Sequence, residues 1–360
     1  MDILGIGNAL LDIFWFSDDE SALALGLHPN KSAHMESGRL DELLLAVQAP
    51  IFVSGGSASN SVKAAAALGI DTAFIGCTGT DDRERDRWAR LFTEDLASFG
   101  VRCELESRNE ATGRCLVIHM PGNLKSIACA PGAAPELSTE QITEKILSQA
   151  KMVLLDGQTL WNEEVAAHVI SLCEKLGIQL ALDAGSADVV RSNAQLMLRA
   201  ISGDGQALTA PEPGSDRSGP ILFLNDDEAL ALALALGTQD SDDTDAYIDR
   251  VFSACTAGLN EHSGSRACIV HKRAERGARA WQNGMRTDAP TIPADPVLDD
   301  TGAGDAFNGA FLAARLKNLP LAACLEFANA AARTTLSVPG SRFDRDAFSG
   351  LARKLAASAQ

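Results

Sequence analysis

No stretch of this sequence is apolar for long enough to cross a membrane. The longest block, Ala229 to Leu236, falls well short of the roughly 20 residues that a bilayer requires. Basic residues are in deficit: the 360 residues carry 31 Lys+Arg against 48 Asp+Glu, a formal charge of −17. A body so acidic repels nucleic acid and anionic lipid at cellular salt, and neither is expected as a partner. The eight cysteines contain no C-x-x-C pair, which reads as reduced, structural thiols rather than a metal or disulfide framework. A secretory signal is not expected either, since Met1-Asp2-Ile3 has no basic region and Asp12 interrupts the apolar run that follows. The expected setting is cytoplasmic. No Gly-Lys dipeptide occurs, so a Walker A loop is missing, as are a G-x-S-x-G elbow and an H-E-x-x-H helix. Gly5 and Gly7 lack the third glycine of a dinucleotide fingerprint, because position 10 is Leu. Phosphate handling without a P-loop is the chemistry that these absences leave open.

What is present is a β-then-α rhythm. Short apolar runs at 51–53, 72–75, 152–155, 179–182, 221–224 and 267–270 each precede a helical pattern, which predicts a mainly parallel sheet covered by helices. The alternating Ala/Leu run at 229–236 formally has a strand's period. Its helix-forming residues, and Asn225 three positions before Glu228 as a capping pair, predict a helix instead. Residues from Ile13 to about Met35, and from Cys103 to about Cys129, break the rhythm. Arg114 to His119, a Pro121-Gly122-Asn123 turn and Lys125 to Cys129 predict a hairpin, and together these segments predict a small β flap on one domain spanning residues 1–360. Gly203 to Pro220, rich in Gly, Pro, Ser and Asp, reads as a surface loop.

Four constellations carry chemistry. In Asp299-Asp300-Thr301-Gly302-Ala303-Gly304-Asp305, three small residues at a helix start let backbone N–H groups approach an anion. Asp305, in the first turn, is placed to take a proton from a hydroxyl that attacks a phosphoryl group. Taken alone, the stretch is equally an Asp-capped helix after a glycine turn. Gly55-Gly56 with Asn60 allow close approach to a polyhydroxylated ligand, or make a plain strand-to-helix turn. Asp12 ends an apolar strand, where a carboxylate is costly without a partner, although a capping role also fits. Asn225 and Glu228 cap a helix, and Glu228 is also placed to hold a hydrated Mg²⁺.

In this order the four resemble the ribokinase-like (PfkB) carbohydrate kinases, with Asp299 to Asp305 similar to the D-T-x-G-A-G-D signature. Gly7 to Asp12, Asn60 to Lys63, Phe74 to Gly79 and Thr112 to Cys115 lean toward the adenosine-kinase-like branch. The resemblance implies a three-layer α/β sandwich with a β lid, and an ATP-dependent kinase acting on a hydroxyl of a small sugar or sugar derivative. It implies Asp305 as base and the Gly302, Ala303 and Gly304 backbone as anion hole. Asp12, Gly55, Gly56 and Asn60 would hold substrate, and Lys125 would reach it from the lid. Asn225, Glu228, Gly277 and Asn329 would line the ATP and Mg²⁺ site, Glu228 through water. Asp299 and the loop around Ser337 to Ser341 would bind a monovalent cation such as K⁺. A homodimer through the lid fits the same resemblance. Two departures stand out: Asp300 replaces the signature Thr, and Ala274 replaces the first Gly of the ATP-cleft turn His271 to Gly277. These motivate a sensor that binds sugar or nucleoside without turnover; Phe14 and Phe16, sharing the face of Asp12, motivate a ribonucleoside kinase.

Overall fold

The computed structural model describes every residue except 82–83, 203–218, 238–241, 264–265, 295, 339, 341 and 359–360. Most of the loop expected at Gly203 to Pro220, and Ser341, therefore lie outside the described residues. The described residues hold fifteen strands: β1 Ile3–Ile6, β2 Leu10–Phe16, β3 Lys31–His34, β4 Ile51–Gly55, β5 Thr72–Asp81, β6 Glu84–Arg85, β7 Arg102–Arg108, β8 Gly113–Met120, β9 Leu124–Ala130, β10 Met152–Asp156, β11 Gln179–Asp183, β12 Ile221–Leu224, β13 Cys268–Lys272, β14 Ala278–Gln282 and β15 Met285–Ala289.

Ten of them form one sheet in the order β15-β14-β13-β12-β11-β10-β1-β5-β6, with β7 also pairing β5. Pairing is parallel from β13 through β10 and β1 to β5 and β7, and antiparallel only toward β14, β15 and β6. The central strands β1, β10, β11 and β12 are apolar along their middles because both faces are covered. Leu4, Ile6, Val153 and Leu155 face one core, built with the helices Glu163–Leu176, Ala187–Ser202, Asp226–Leu236 and Thr244–Ser263. Their neighbours Ile3, Met152 and Leu154 face the other, built with Ser57–Ala67, Ala303–Leu316, Leu321–Thr335 and Arg345–Ser358. Each aliphatic side chain so buried stabilises the fold by roughly 1.5–3 kcal/mol before entropy is counted. The expected three layers result.

The remaining strands form a five-stranded sheet, β3-β9-β8-β2-β4. The hairpin expected after Arg114 is β8 and β9, paired antiparallel around Pro121–Asn123. Two boundaries differ from the sequence reading. Arg102–Arg108 belongs to the main sheet, as a parallel partner of β5, so the part of the second expected flap segment that lies in the small sheet begins at Gly113. Ile51–Gly55, expected as a main-sheet strand, pairs antiparallel with β2 instead. Apolar alternation marks a strand but does not say which sheet it joins. A third correction concerns the thiols: Cys115 and Cys129 form a disulfide, and the expectation of eight reduced cysteines is overturned. The reason is register. The two residues stand directly opposite across β8 and β9, 4.2 Å apart at Cα, the narrow spacing of antiparallel pairs.

Candidate active site

β1 lies in the middle of the main sheet, with β5 on one side and β10 on the other. The chain therefore winds outward in both directions from β1, and the crevice beyond the carboxyl ends of the strands is where such sheets bind ligands. Acidic side chains collect there. Asp156 ends β10 and Asp183 ends β11, paired in register, and Glu228 follows β12 in the first turn of its helix. Asp305 enters from the helix Ala303–Leu316, which packs against Ser57–Ala67. At their crossing Gly309 is required: a β-carbon would stand 2.2 Å from the Ser61 carbonyl oxygen.

That close approach brings Asp305 to its partners. Ser57 Oγ lies 2.8 Å from Asp305 Oδ1 and 2.5 Å from Asp183 Oδ2, and Asn60 Nδ2 donates to Asp305 Oδ2 at 3.1 Å. A hydroxyl has one hydrogen, so Ser57 donates to one carboxylate at a time and ties the two acids together. Of the two, Asp305 is the one whose pKa is raised. Burial and then the charge of Asp183 push it up to about 6, against the opposing pull of Ser57, Lys272 and Asn60. Asp183 is held below the usual range despite its burial, because Lys272 sits beside it and Ser57 bonds to it. Lys272 Nζ donates to Asp183 Oδ1 at 3.0 Å and to Asn308 Oδ1 at 3.3 Å. It lies 3.5 Å from where a β-carbon on Gly304 would stand, beside the backbone of the expected anion hole. Gly302, at φ +79°, turns the chain into that helix.

Asp12 and Gly55 meet on adjacent strands, β2 and β4. An Ala at 55 would place its β-carbon 2.4 Å from the Asp12 carboxylate, and one at 56 would stand 2.3 Å from the Asn8 carbonyl. Asp12 is buried, which pushes its carboxyl up to about 7 although the Lys63 ammonium draws it down. Asn60 Oδ1 is buried with no hydrogen-bond partner, an acceptor left open in the same crevice. Glu228 accepts from the Asn225 N–H at 2.8 Å while Asn225 caps the Glu228 N–H at 2.9 Å. This is the expected capping box. Burial pushes Glu228 up to about 7, with Lys272 opposing and Asp183 reinforcing.

The remaining expected residues lie farther along the molecule. Gly277, at φ +84°, closes the turn after β13, where a β-carbon would stand 2.3 Å from the Ala289 carbonyl oxygen. Ala274 takes φ +48° at an exposed position of that turn. Asn329 donates to the Ala289 carbonyl at 2.9 Å and lines a cavity of about 390 Å³ with Pro290, Ile292, Arg333 and Leu351. Lys125 does not reach the Asp305 cluster. Its ammonium bonds Asp299, Asp300 and Thr301.

Sequence reasoning missed Ser57, Asp183, Lys272 and Asn308. For Asp183 a signal was available: Ala181-Leu182-Asp183, like the end of β10, closes an apolar strand with a carboxylate, the same argument that singled out Asp12. Among the described residues, no cluster of three His, Cys, Asp or Glu side chains would hold a bare metal ion, and no helix is long and apolar enough to cross a membrane.

The sequence matches the pattern of the pfkB family carbohydrate kinase over residues 20–204 and 218–347. It is 26% identical over 298 residues to a ribokinase of Arabidopsis thaliana, covering 80% of this chain and 68% of that one. An adenosine kinase of Schizosaccharomyces pombe is 23% identical over 334 residues, covering 87% of each. Among solved structures, a probable sugar kinase of Rhizobium etli superposes over 100% of this chain and 99% of its own, at a TM-score of 0.79 and 22% identity. An adenosine kinase of Sinorhizobium meliloti does so over 98% of each, at 0.78 and 22%. These two carry the fold. With the family pattern spanning most of the sequence, the chain belongs to the pfkB family of carbohydrate kinases, ATP-dependent phosphotransferases whose acceptor is an alcohol group.

Proposed function

We propose that this kinase phosphorylates a hydroxyl of a small sugar or sugar derivative, with Asp305 as general base. The observation that carries the reading is the Asp305 carboxyl, held by Ser57 and Asn60 at a helix N-terminus, with Lys272 beside Gly304. Asp12 and the open Asn60 Oδ1 offer acceptors for substrate hydroxyls, and Gly55 and Gly56 let the sugar approach the backbone. Asp305, once ionised, accepts the proton of the attacking hydroxyl. The backbone N–H groups of Gly302, Ala303 and Gly304, the helix dipole and the Lys272 ammonium face charge that grows on the transferred group.

The donor set suits a nucleotide with a hydrated Mg²⁺. Burial raises the carboxyls of Asp12, Asp156 and Glu228 to about 7 and that of Asp305 to about 6, and a divalent ion beside them would favour their charged forms. Glu228 would hold it through water. When bound, the magnesium nucleotide supplies the phosphoryl group and neutralises charge on its phosphates. The cavity beside Asn329 suits the adenine, apolar with a few polar edges.

A ribonucleoside substrate is the second reading, and Phe16 favours it. Phe14 is fully buried and belongs to the packing, but Phe16 is 51% exposed and stacked on His119, ring centres 4.9 Å apart. Both line a cavity of about 680 Å³ with Trp15 and Leu298, where a base has an aromatic surface to stack on. A homodimer through the lid also belongs to the proposal, since β3 is an exposed edge strand. Light scattering on the purified protein decides it. A thermal-shift panel of ribose, fructose, hexose acids, adenosine and other nucleosides, followed by ADP release, tests the substrate. Shifts and turnover with sugars alone would remove the nucleoside reading, and turnover with none of them would defeat both.

A further inference from the structure

The resemblance to the family implies a free monovalent cation at Asp299, and the described residues around that carboxylate do not fit one. The Asp299 side chain has no exposed surface. Its Oδ1 accepts from Thr301 N at 3.0 Å and Thr301 Oγ1 at 2.7 Å, and its Oδ2 from Gly340 N at 2.7 Å. The charge of the carboxylate is met by Lys125 Nζ, 2.6 Å from Oδ1. That ammonium also donates to Asp300 Oδ1 and, at 3.1 Å, to Thr301 Oγ1. Three acceptors use all three N–H donors of a lysine. A potassium ion on the same carboxylate would stand against a fixed positive charge.

We infer that the chain carries its own cation: the Lys125 ammonium, brought by the lid strand β9, occupies the place of the free monovalent ion at Asp299 and positions the loop that leads into the anion hole. The inference rests on reading Gly302 to Asp305 as the phosphoryl-transfer site. It explains a departure that the sequence left open. Asp300, where the family's signature has Thr, is the second counter-ion of Lys125, so the extra carboxylate is neutralised at its source. Burial alone would lower the Lys125 pKa, yet Asp299 and Asp300 hold it above the usual lysine value, and Asp299 stays below the usual carboxylate range. Both partners remain charged across the working pH. Lys125 is here a positioning residue, acting through Asp299 and Thr301.

The test uses the full-length protein in tetramethylammonium buffer, with KCl or tetramethylammonium chloride added to equal ionic strength, on the order of 100 mM so that a weak site fills. Melting temperature and the initial rate on the best acceptor are read for the wild type, Lys125→Met and Lys125→Gln. The wild type is expected to show no K⁺-specific change in either. Each variant is expected to lose about tenfold or more in rate without K⁺, on the scale of removing one oriented charge. In each, K⁺ is expected to raise the melting temperature and restore part of the rate. A K⁺-specific rise in the melting temperature of the wild type overturns the inference, because a free ion then holds the site. Folded variants with wild-type rates and no response to K⁺ overturn it too, because the pair then does nothing for the loop. Absence of turnover on every acceptor would instead count against the proposed substrate, while the melting temperatures still report on the cation.

Discussion

The Lys272 ammonium stands 3.5 Å from the point where a β-carbon on Gly304 would project. The structure thus puts a half-buried cation beside the backbone that the sequence identified only as an anion hole. It makes Lys272, rather than Lys125, the positive group nearest the transferred phosphate in the proposed mechanism. Lys272→Met should lower kcat by about 10² or more, since a charge aimed at a developing oxyanion is worth that much in a closed site. Calorimetric titration with a non-hydrolysable nucleotide should show weakened binding as well. A variant with wild-type kcat would move this role elsewhere.

Asp305→Asn should leave the fold and nucleotide binding nearly intact while reducing kcat by roughly 10² or more, the scale of general-base effects. Circular dichroism and nucleotide titration check the first, ADP release the second. Substantial remaining turnover would show that another group takes the proton.

The pH profile follows from the raised pKa of Asp305. A base works only when ionised, so kcat/KM of the wild type should fall tenfold per unit below about pH 6. Asp183→Asn removes a neighbouring negative charge and frees Lys272 from its direct carboxylate partner, leaving more of its pull for Asp305 and Glu228. Both changes favour the ionised form, so the acid limb should move to lower pH in that variant. A limb that stays put would mean another group controls it.

Stability should run the opposite way to activity. Asp12, Asp156, Asp305 and Glu228 all titrate higher folded than unfolded, so between about pH 4 and 7 the native state binds more protons than the unfolded chain. Unfolding free energy therefore falls as pH rises through that window. The depressed carboxylates, Asp95, Asp183 and Asp299 among them, titrate below it, while His119 and Lys63, whose charged forms burial disfavours, oppose the slope toward higher pH. The unliganded protein should melt at a higher temperature at pH 5.5 than at pH 7.5. Asp12→Asn should flatten part of that slope, and an unchanged slope would show that Asp12 is already ionised in the native state.

Ala274 offers a test of the other departure. A left-handed backbone costs a side chain roughly 1–2 kcal/mol, and Ala274 takes it at φ +48°. Ala274→Gly, at an exposed turn, should change stability by less than about 1 kcal/mol because glycine also loses more entropy on folding. Its rate should stay at the wild-type level. A large gain in rate would mean that the methyl group does crowd the nucleotide.

Much of the framework was legible because its signals are local. The helix over Asp226–Leu236 and the hairpin around Pro121 follow from capping pairs and turn residues, and the structure has both. The Asp299 to Asp305 stretch likewise reads as a helix start with a carboxylate in its first turn, which it is. What the sequence hid is long-range. Nothing near Ile51 says that β4 pairs with β2 rather than with the main sheet. Lys272 reads as one more lysine on a strand until β13 lies beside β12 and the helix Ala303–Leu316 crosses over it. The cysteines fall between the two cases. Residues 115 and 129 are equidistant from Gly122, so the hairpin itself places them opposite each other, although neither spacing nor composition distinguishes them from the other six.

Only Gly7, Asn8 and Ala9 separate β1, at the centre of the large sheet, from β2 of the small one. Asp12 rides on β2 and Gly55 on β4, whereas Asp305 and Lys272 belong to the large body. In the proposed mechanism the carboxylate that meets the sugar and the proton acceptor are therefore carried by different sheets, joined at the site by a three-residue link. A substrate that touches both would be a crosslink between the two sheets, and its hydroxyl pattern would decide how closely they meet. An acceptor missing the hydroxyl that meets Asp12 would lose more than one hydrogen bond: it would lose the lever that brings the reacting oxygen to Asp305.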